Sequence, residues 1–201
     1  MIDNFEQISS LMKFDNEDEF YFIQVLQRNK ENPELGSNNR LIKAYYCYSL
    51  EMLEKYKSEM ITLANTFNAR IYIHLNRRNA RMIALEMMED LAHSIKSNQF
   101  YLGKIYSSVC GRHHSEKDKT WILDVDNLTE YYIKSIDGVH MDKVLETLAV
   151  IEPINTTKVI TKIPTKNGFH LICRPFNTQK FTIIHPEIEI HKNNPTILYI
   201  P

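Results

Sequence analysis

Trp121-Ile-Leu-Asp-Val-Asp126 decides how the rest of the chain is read. The hexapeptide is apolar and β-branched, with aspartates at i and i+2, and predicts a strand. Successive strand side chains point to opposite faces, so Asp124 and Asp126 share one face and Leu123 and Val125 the other. Two carboxylates roughly 7 Å apart on one pleated face repel each other and bury poorly. One or two divalent cations are the usual remedy, and a nucleotidyl-transfer centre is the expected use. The plain alternative is a strand end with two solvated aspartates.

Composition sets the frame. The 201 residues suffice for one domain or two small ones, and 43% hydrophobic with 24% charged residues is ordinary for a globular protein. Net charge is −1, but it is unevenly spread. Residues 1–34 carry eight acids against three bases, whereas residues 153–186 carry Lys158, Lys162, Lys166, Arg174 and Lys180 and no acid. Such a local positive field suits phosphate ligands, although a solvated basic surface gives the same pattern. The start, Met-Ile-Asp-Asn-Phe-Glu, has no basic or apolar leader, so no secretory signal is expected. No apolar run approaches the ~18 residues of a membrane span. Cys47, Cys110 and Cys173 are odd in number and far apart, as expected of reduced thiols in a cytoplasmic protein.

Outward from the opening strand, Phe20–Gln27 predicts a strand and Leu41–Tyr48 its hairpin partner, across a polar loop with Pro33 and Gly36. Ser49 predicts an N-cap for a helix with Leu53, Tyr56, Met60, Leu63 and Phe67 on one face. Residues 70–76 alternate as a strand and turn at Asn76-Arg-Arg-Asn79. A second helix follows, with Ala80, Ala84, Met88, Leu91 and Ile95 as its expected core stripe. The basic turn (Arg77, Arg78, Arg81) at that helix start suits a phosphate, or simply marks helix entry. Cys110-Gly-Arg-His-His114 lacks a second ligand pair and falls short of a zinc signature, so no zinc is expected. Past the opening strand, a helix is expected at about residues 141–149, after the Asp137-Gly138 break. Residues 158–163 and 169–174 then form a hairpin across Pro164-Thr-Lys-Asn-Gly168, and Asn177 caps a short helix. Glu187–His191 and Thr196–Ile200 predict the last two strands, separated by the turn Lys192-Asn-Asn-Pro195.

The second half thus supplies three polar strand sites: Asp124 with Asp126, His170 behind a glycine turn, and the face carrying Glu187, Glu189 and His191. Three carboxylates can hold two Mg²⁺ or Mn²⁺ ions, and a histidine with nearby lysines can neutralise a triphosphate.

Asp124-Val-Asp126, Gly168-Phe-His170 and Glu189 within Ile188-Glu-Ile-His191 resemble, in that order, the motifs of the archaeo-eukaryotic primase superfamily, which includes primase-polymerases. Residues 20–33 and 68–78 are similar to small primase-like proteins of bacteroidetes and their phages. The resemblance implies one α+β domain over residues 1–201, in two lobes. An N-terminal α/β lobe would run to about residue 115, and a lobe with a sheet like that of an RNA-recognition motif would occupy about 116–201. It implies Asp124, Asp126 and Glu189 as ligands of a two-metal Mg²⁺ or Mn²⁺ site, with Glu187 as the alternative third acid, and His170 on the nucleotide phosphates. Lys162, Lys166 and Arg77 are expected to add positive charge for nucleotide binding. The implied function is template-directed primer synthesis or DNA polymerisation on single-stranded DNA from nucleoside triphosphates, with a helicase or another replication protein as partner. Two departures stand out: the third acid lies in a Glu-x-Glu context, and Asn193-Asn-Pro195 replaces the family's glycine-rich turn. The alternatives are a metal-dependent nuclease, a non-catalytic replisome adaptor that keeps the fold, and, more weakly, a glycosyltransferase using Asp-x-Asp.

Overall fold

Strand Glu19–Gln27 (β2) is buried along almost its whole length because helices cover both faces of its sheet. In the computed structural model, residues 1–99, 102–115, 117–126 and 139–201 are described; for residues 102, 126, 139 and 140 the description is of the backbone alone. The chain is α+β and divides into two units. Unit 1 is Met1, Asp3–Lys117 and Ile197–Pro201, and unit 2 is Ile2 with Asp118–Thr196. The division falls two residues beyond the expected lobe change at 115, and residues 197–201 return to unit 1 instead of staying with the second lobe. The expected break at Asp137-Gly138 lies outside the described residues. Among the described residues, no helix is long and apolar enough to cross a membrane.

Unit 1 is built on a sheet ordered β1-β10-β4-β2-β3, where β1 is Ile2–Asp3, β3 is Arg40–Cys47, β4 is Arg70–Ile73 and β10 is Thr196–Ile200; the two-residue β5 (Arg78–Asn79) also pairs with β2. The β2–β3 hairpin forms as its alternating pattern predicts, with Ile23 opposite Tyr45 and Phe22 opposite Tyr46. These pairs show where each helix lies. Tyr45 packs on Tyr56 of α2 (Leu50–Thr66), whose N-cap Ser49 accepts the Met52 N–H at 3.2 Å. On the other face Phe20 and Phe22 pack with Ile83 of α3 (Ala80–Lys96) and with Val109 and Cys110 of α4 (Ile105–Arg112). Phe5–Ser9 forms the short α1.

The helix α3 corrects an expectation. Its N-cap Asn79, read from sequence only as a turn residue, accepts the Met82 N–H at 3.0 Å. Yet the stripe Met88, Leu91 and Ile95 faces outward, Met88 with 59% of its surface exposed, while Ile83 is fully buried. Ile83 lies about 140° around the helix from Met88 at 100° per residue. The longer apolar stripe is therefore not the one that packs.

Two arginines at the head of α3 are absorbed into unit 1. Arg77 bonds Asp15 at 2.9 Å and Glu19 at 2.6 Å, and Lys117 also reaches Asp15, which holds the Asp15 carboxyl down at about 2. Arg78 has no exposed surface. Its guanidinium donates to the carbonyls of Cys110 (2.7 Å), Gly111 (3.2 Å) and Asn76 and meets His74 Nδ1 at 3.0 Å. Cys110 and Gly111 lie in the last turn of α4, where carbonyls lack helical partners and the helix dipole favours a cation. Arg78 thus caps α4 from inside, and burial pulls its pKa down to about 10.

Among the described residues, unit 2 runs β6 (Trp121–Asp126), α5 (Val139–Val150), β7 (Val159–Pro164), β8 (Gly168–Cys173), α6 (Thr178–Ile184) and β9 (Glu189–His191). Its sheet order is β7-β8-β6-β9, with every described pair antiparallel. This β-α-β-β-α-β order is the split-βαβ arrangement. Leu123 and Leu171 on one face pack with Val144 and Leu148 of α5 and Phe181 of α6. Alternation then forces Asp124 and His170 onto the face away from that core.

Candidate active site

The opposite face of this sheet is where the polar residues collect. Directly opposed residues of an antiparallel pair point the same way. Asp124 on the central β6 is opposed by His170 on β8 and by Glu189 on β9. Three residues separated by up to 65 positions therefore form one row across three strands, His170–Asp124–Glu189. Cross-strand neighbours at this spacing have Cβ atoms about 4.5–5.5 Å apart, within reach of a shared ligand.

Side-chain geometry draws in a fourth residue. His170 Nε2 lies 3.5 Å from Asp124 Oδ1, and His191 Nε2 lies 3.8 Å from Asp124 Oδ2 and 3.4 Å from Glu189 Oε2. Asp124 is thus flanked by two imidazoles, each presenting Nε2. On their far sides, His170 Nδ1 meets Thr196 Oγ1 at 2.8 Å and His191 Nδ1 meets the Asn194 amide at 3.0 Å. The two rings are biased in opposite directions. Burial holds the His170 pKa below the usual imidazole range, against the pull of Asp124 and with help from His191. The Asp124 hydrogen bond raises that of His191, against burial and with the Glu189 charge adding to it. Glu189 is the open end of the row, its side chain 77% exposed where that of His170 is 12%.

The remaining expected site residues fall as follows. The backbone of Asp126 continues β6 opposite Gly168, and its side chain lies outside the described residues. Glu187 precedes β9, and its carboxylate stands 3.7 Å from His185 Nδ1, so Glu189 is the glutamate in the row. Lys166 is exposed in the turn between β7 and β8, closed by the Thr165 N–H donating to Gly168 O at 3.0 Å.

Lys162 departs from its expected place for a definable reason. A bulge between Val159 and Thr161 shifts the register, so Ile163 opposes His170 and Lys162 opposes Leu171. One extra residue flips every later side chain to the other face. The Lys162 ammonium accordingly sits 3.9 Å from the centre of the Phe169 ring, on the face of the core and away from Asp124. Arg77 likewise leaves the expected nucleotide-binding set: it is buried in unit 1 with its charge met by Asp15 and Glu19.

Sequence reading singled out neither Thr196 nor Asn194. The only signal was the polar Asn193-Asn-Pro-Thr196 segment beside a histidine-bearing strand.

Among the described residues, no three His, Cys, Asp or Glu side chains are gathered as a ready metal site. The donor chemistry nevertheless fits a cation. Asp124 and Glu189 both turn a carboxylate oxygen toward His191 Nε2, so two acidic oxygens already face one point beside β9. Compared with known protein families, curated proteins and solved structures, the chain matches none.

Proposed function

We propose that unit 2 carries a divalent-metal-dependent nucleotidyl-transfer site of the primase–polymerase kind, making primers or DNA on a single-stranded template. The observation that supports this most is the registered row His170–Asp124–Glu189, which unites three short motifs from distant parts of the chain. The split-βαβ sheet is compatible with a catalytic sheet like that of an RNA-recognition motif.

In this reading Asp124, Asp126 and Glu189 hold Mg²⁺ or Mn²⁺. A metal held there supplies charge neutralisation for the attacking hydroxyl and the leaving oxygen. The chain's own contribution is positional. The β6 strand fixes Asp124 between two neighbours, His170 offers Nε2 to a phosphate oxygen, and Lys166 on the β7–β8 turn adds a cation beside the triphosphate. Nucleoside triphosphates and a single-stranded DNA template are the substrates, and a helicase or similar replication protein is the expected partner.

The test is primer synthesis and extension on a single-stranded template by the purified chain with Mg²⁺ or Mn²⁺. Product is expected, with Asp124→Asn and Glu189→Gln each lowering the rate by about 10²-fold or more, the scale of losing one preorganised electrostatic contact. Undiminished synthesis by Asp124→Asn overturns the assignment. Metal-dependent degradation of the template without nucleotides favours a nuclease instead. Metal-independent DNA binding that survives Asp124→Ala, with no synthesis, favours an adaptor.

A further inference from the structure

We propose that Thr196 is a positioning residue that fixes the orientation of the His170 ring and sets its tautomer, with the proton on Nε2. A neutral imidazole has one N–H and one bare nitrogen, and the partner of one nitrogen decides the state of the other. Here Nδ1 faces the Thr196 hydroxyl at 2.8 Å and Nε2 faces the Asp124 carboxylate at 3.5 Å. An ionised carboxylate only accepts, whereas a hydroxyl both donates and accepts. If Nδ1 carried the proton, the lone pair of Nε2 would confront a carboxylate oxygen. With the proton on Nε2, that N–H points toward the carboxylate and the threonine hydroxyl donates to Nδ1. Asp124 breaks the tie, and Thr196 makes the outcome stable. Thr196 has no exposed surface, so its hydroxyl is sheltered from competing bulk water, and β-branching restricts its rotation about χ1.

The consequence, which rests on the nucleotidyl-transfer reading, is an N–H donor held in a fixed direction at one end of the carboxylate row. A ring held through its Nδ1 contact keeps the Nε2–H in one place, ready to donate to a phosphate oxygen. The segment Asn193-Asn-Pro-Thr196 is then part of the site's support as well as a turn between strands.

The decisive experiment is long-range ¹H–¹⁵N NMR of the full chain labelled at its eight histidines, at about pH 8, where an ordinary imidazole is neutral. The His170 signals are identified by their loss in His170→Gln. A protonated Nε2 and a bare Nδ1 are expected in the wild type and in Thr196→Ser, and a mixed or inverted pattern in Thr196→Val. A protonated Nδ1 in the wild type overturns the proposal without any variant, and so does a folded Thr196→Val with an unchanged pattern. In the extension assay Thr196→Val should lower kcat about tenfold or more, with Thr196→Ser close to wild type, since orienting partners of this kind are worth about 10–100-fold. If the chain extends no primer at all while the NMR pattern holds, the nucleotidyl-transfer reading fails and the role of Thr196 stands.

Discussion

Two buried side chains in this protein do opposite jobs with similar chemistry. Thr196 supplies a hydroxyl to one nitrogen of a site histidine, whereas Arg78 spends its guanidinium entirely on the fold. Replacing Arg78 by methionine keeps much of its apolar stem but removes the guanidinium donors that meet the carbonyls of Cys110, Gly111 and Asn76. A buried acceptor that loses its donor, as the Cys110 carbonyl does, costs about 1–3 kcal/mol. Arg78→Met should therefore lower the unfolding free energy by about 1–3 kcal/mol in urea titration, while Arg81→Met, at an exposed side chain, should change it by less than about 0.5 kcal/mol. Equal effects at the two positions would show that Arg78 is not the internal cap described above. Sequence gave both arginines the same provisional role in a basic turn, because residue type carries no information about burial. Asp124, His170 and Glu189 were legible for another reason: strand periodicity assigns each to a face, and motif order brings them together.

At the scale of elements, the sequence was most readable where local chemistry leaves few options. Ser49 and Asn177 each cap the helix that follows, through a side-chain oxygen accepting an N–H three residues on. The β7–β8 hairpin closes over its Asn-Gly turn as expected. Two features were not readable. The bulge at Ile160 has no residue signature, yet it decides that Lys162 turns from the polar face to Phe169. In α3, hydrophobic periodicity offers two faces, and only tertiary packing chooses the one with Ile83. That choice is measurable. Ile83→Ala should cost about 2–5 kcal/mol through a core cavity, whereas Met88→Ser on the exposed stripe should stay within about 0.5 kcal/mol in thermal or urea unfolding. The reverse ranking would mean that the helix is rotated from the orientation described.

At the scale of the molecule, the placement of β10 is the feature least expected from sequence. Thr196–Ile200 reads as one more strand of the second half, but Ile197–Pro201 belongs to unit 1, where β10 lies between β1 and β4. Periodicity shows that a strand exists and not which sheet accepts it. Ile197, Leu198, Tyr199 and Ile200 are all buried, and each buried side chain of this size is worth about 1.5–3 kcal/mol. Four of them together rival the total stability of an ordinary domain, about 5–15 kcal/mol. Deleting residues 197–201 should therefore abolish slow amide exchange in β4 and β2. Retained protection there would show that the sheet closes without β10.

The same placement bears on how the chain is made. Unit 2 is almost continuous in sequence and is interrupted by nothing after residue 118, so a ribosome delivers its strands in one run. Unit 1 begins to emerge first yet lacks an interior strand until residues 197–200 have left the exit tunnel. Until then β4 presents an unpaired edge, the kind of surface that recruits stray strands. Translation thus imposes a waiting period on the earlier-made half of the protein, and chaperone demand during synthesis should fall on that half.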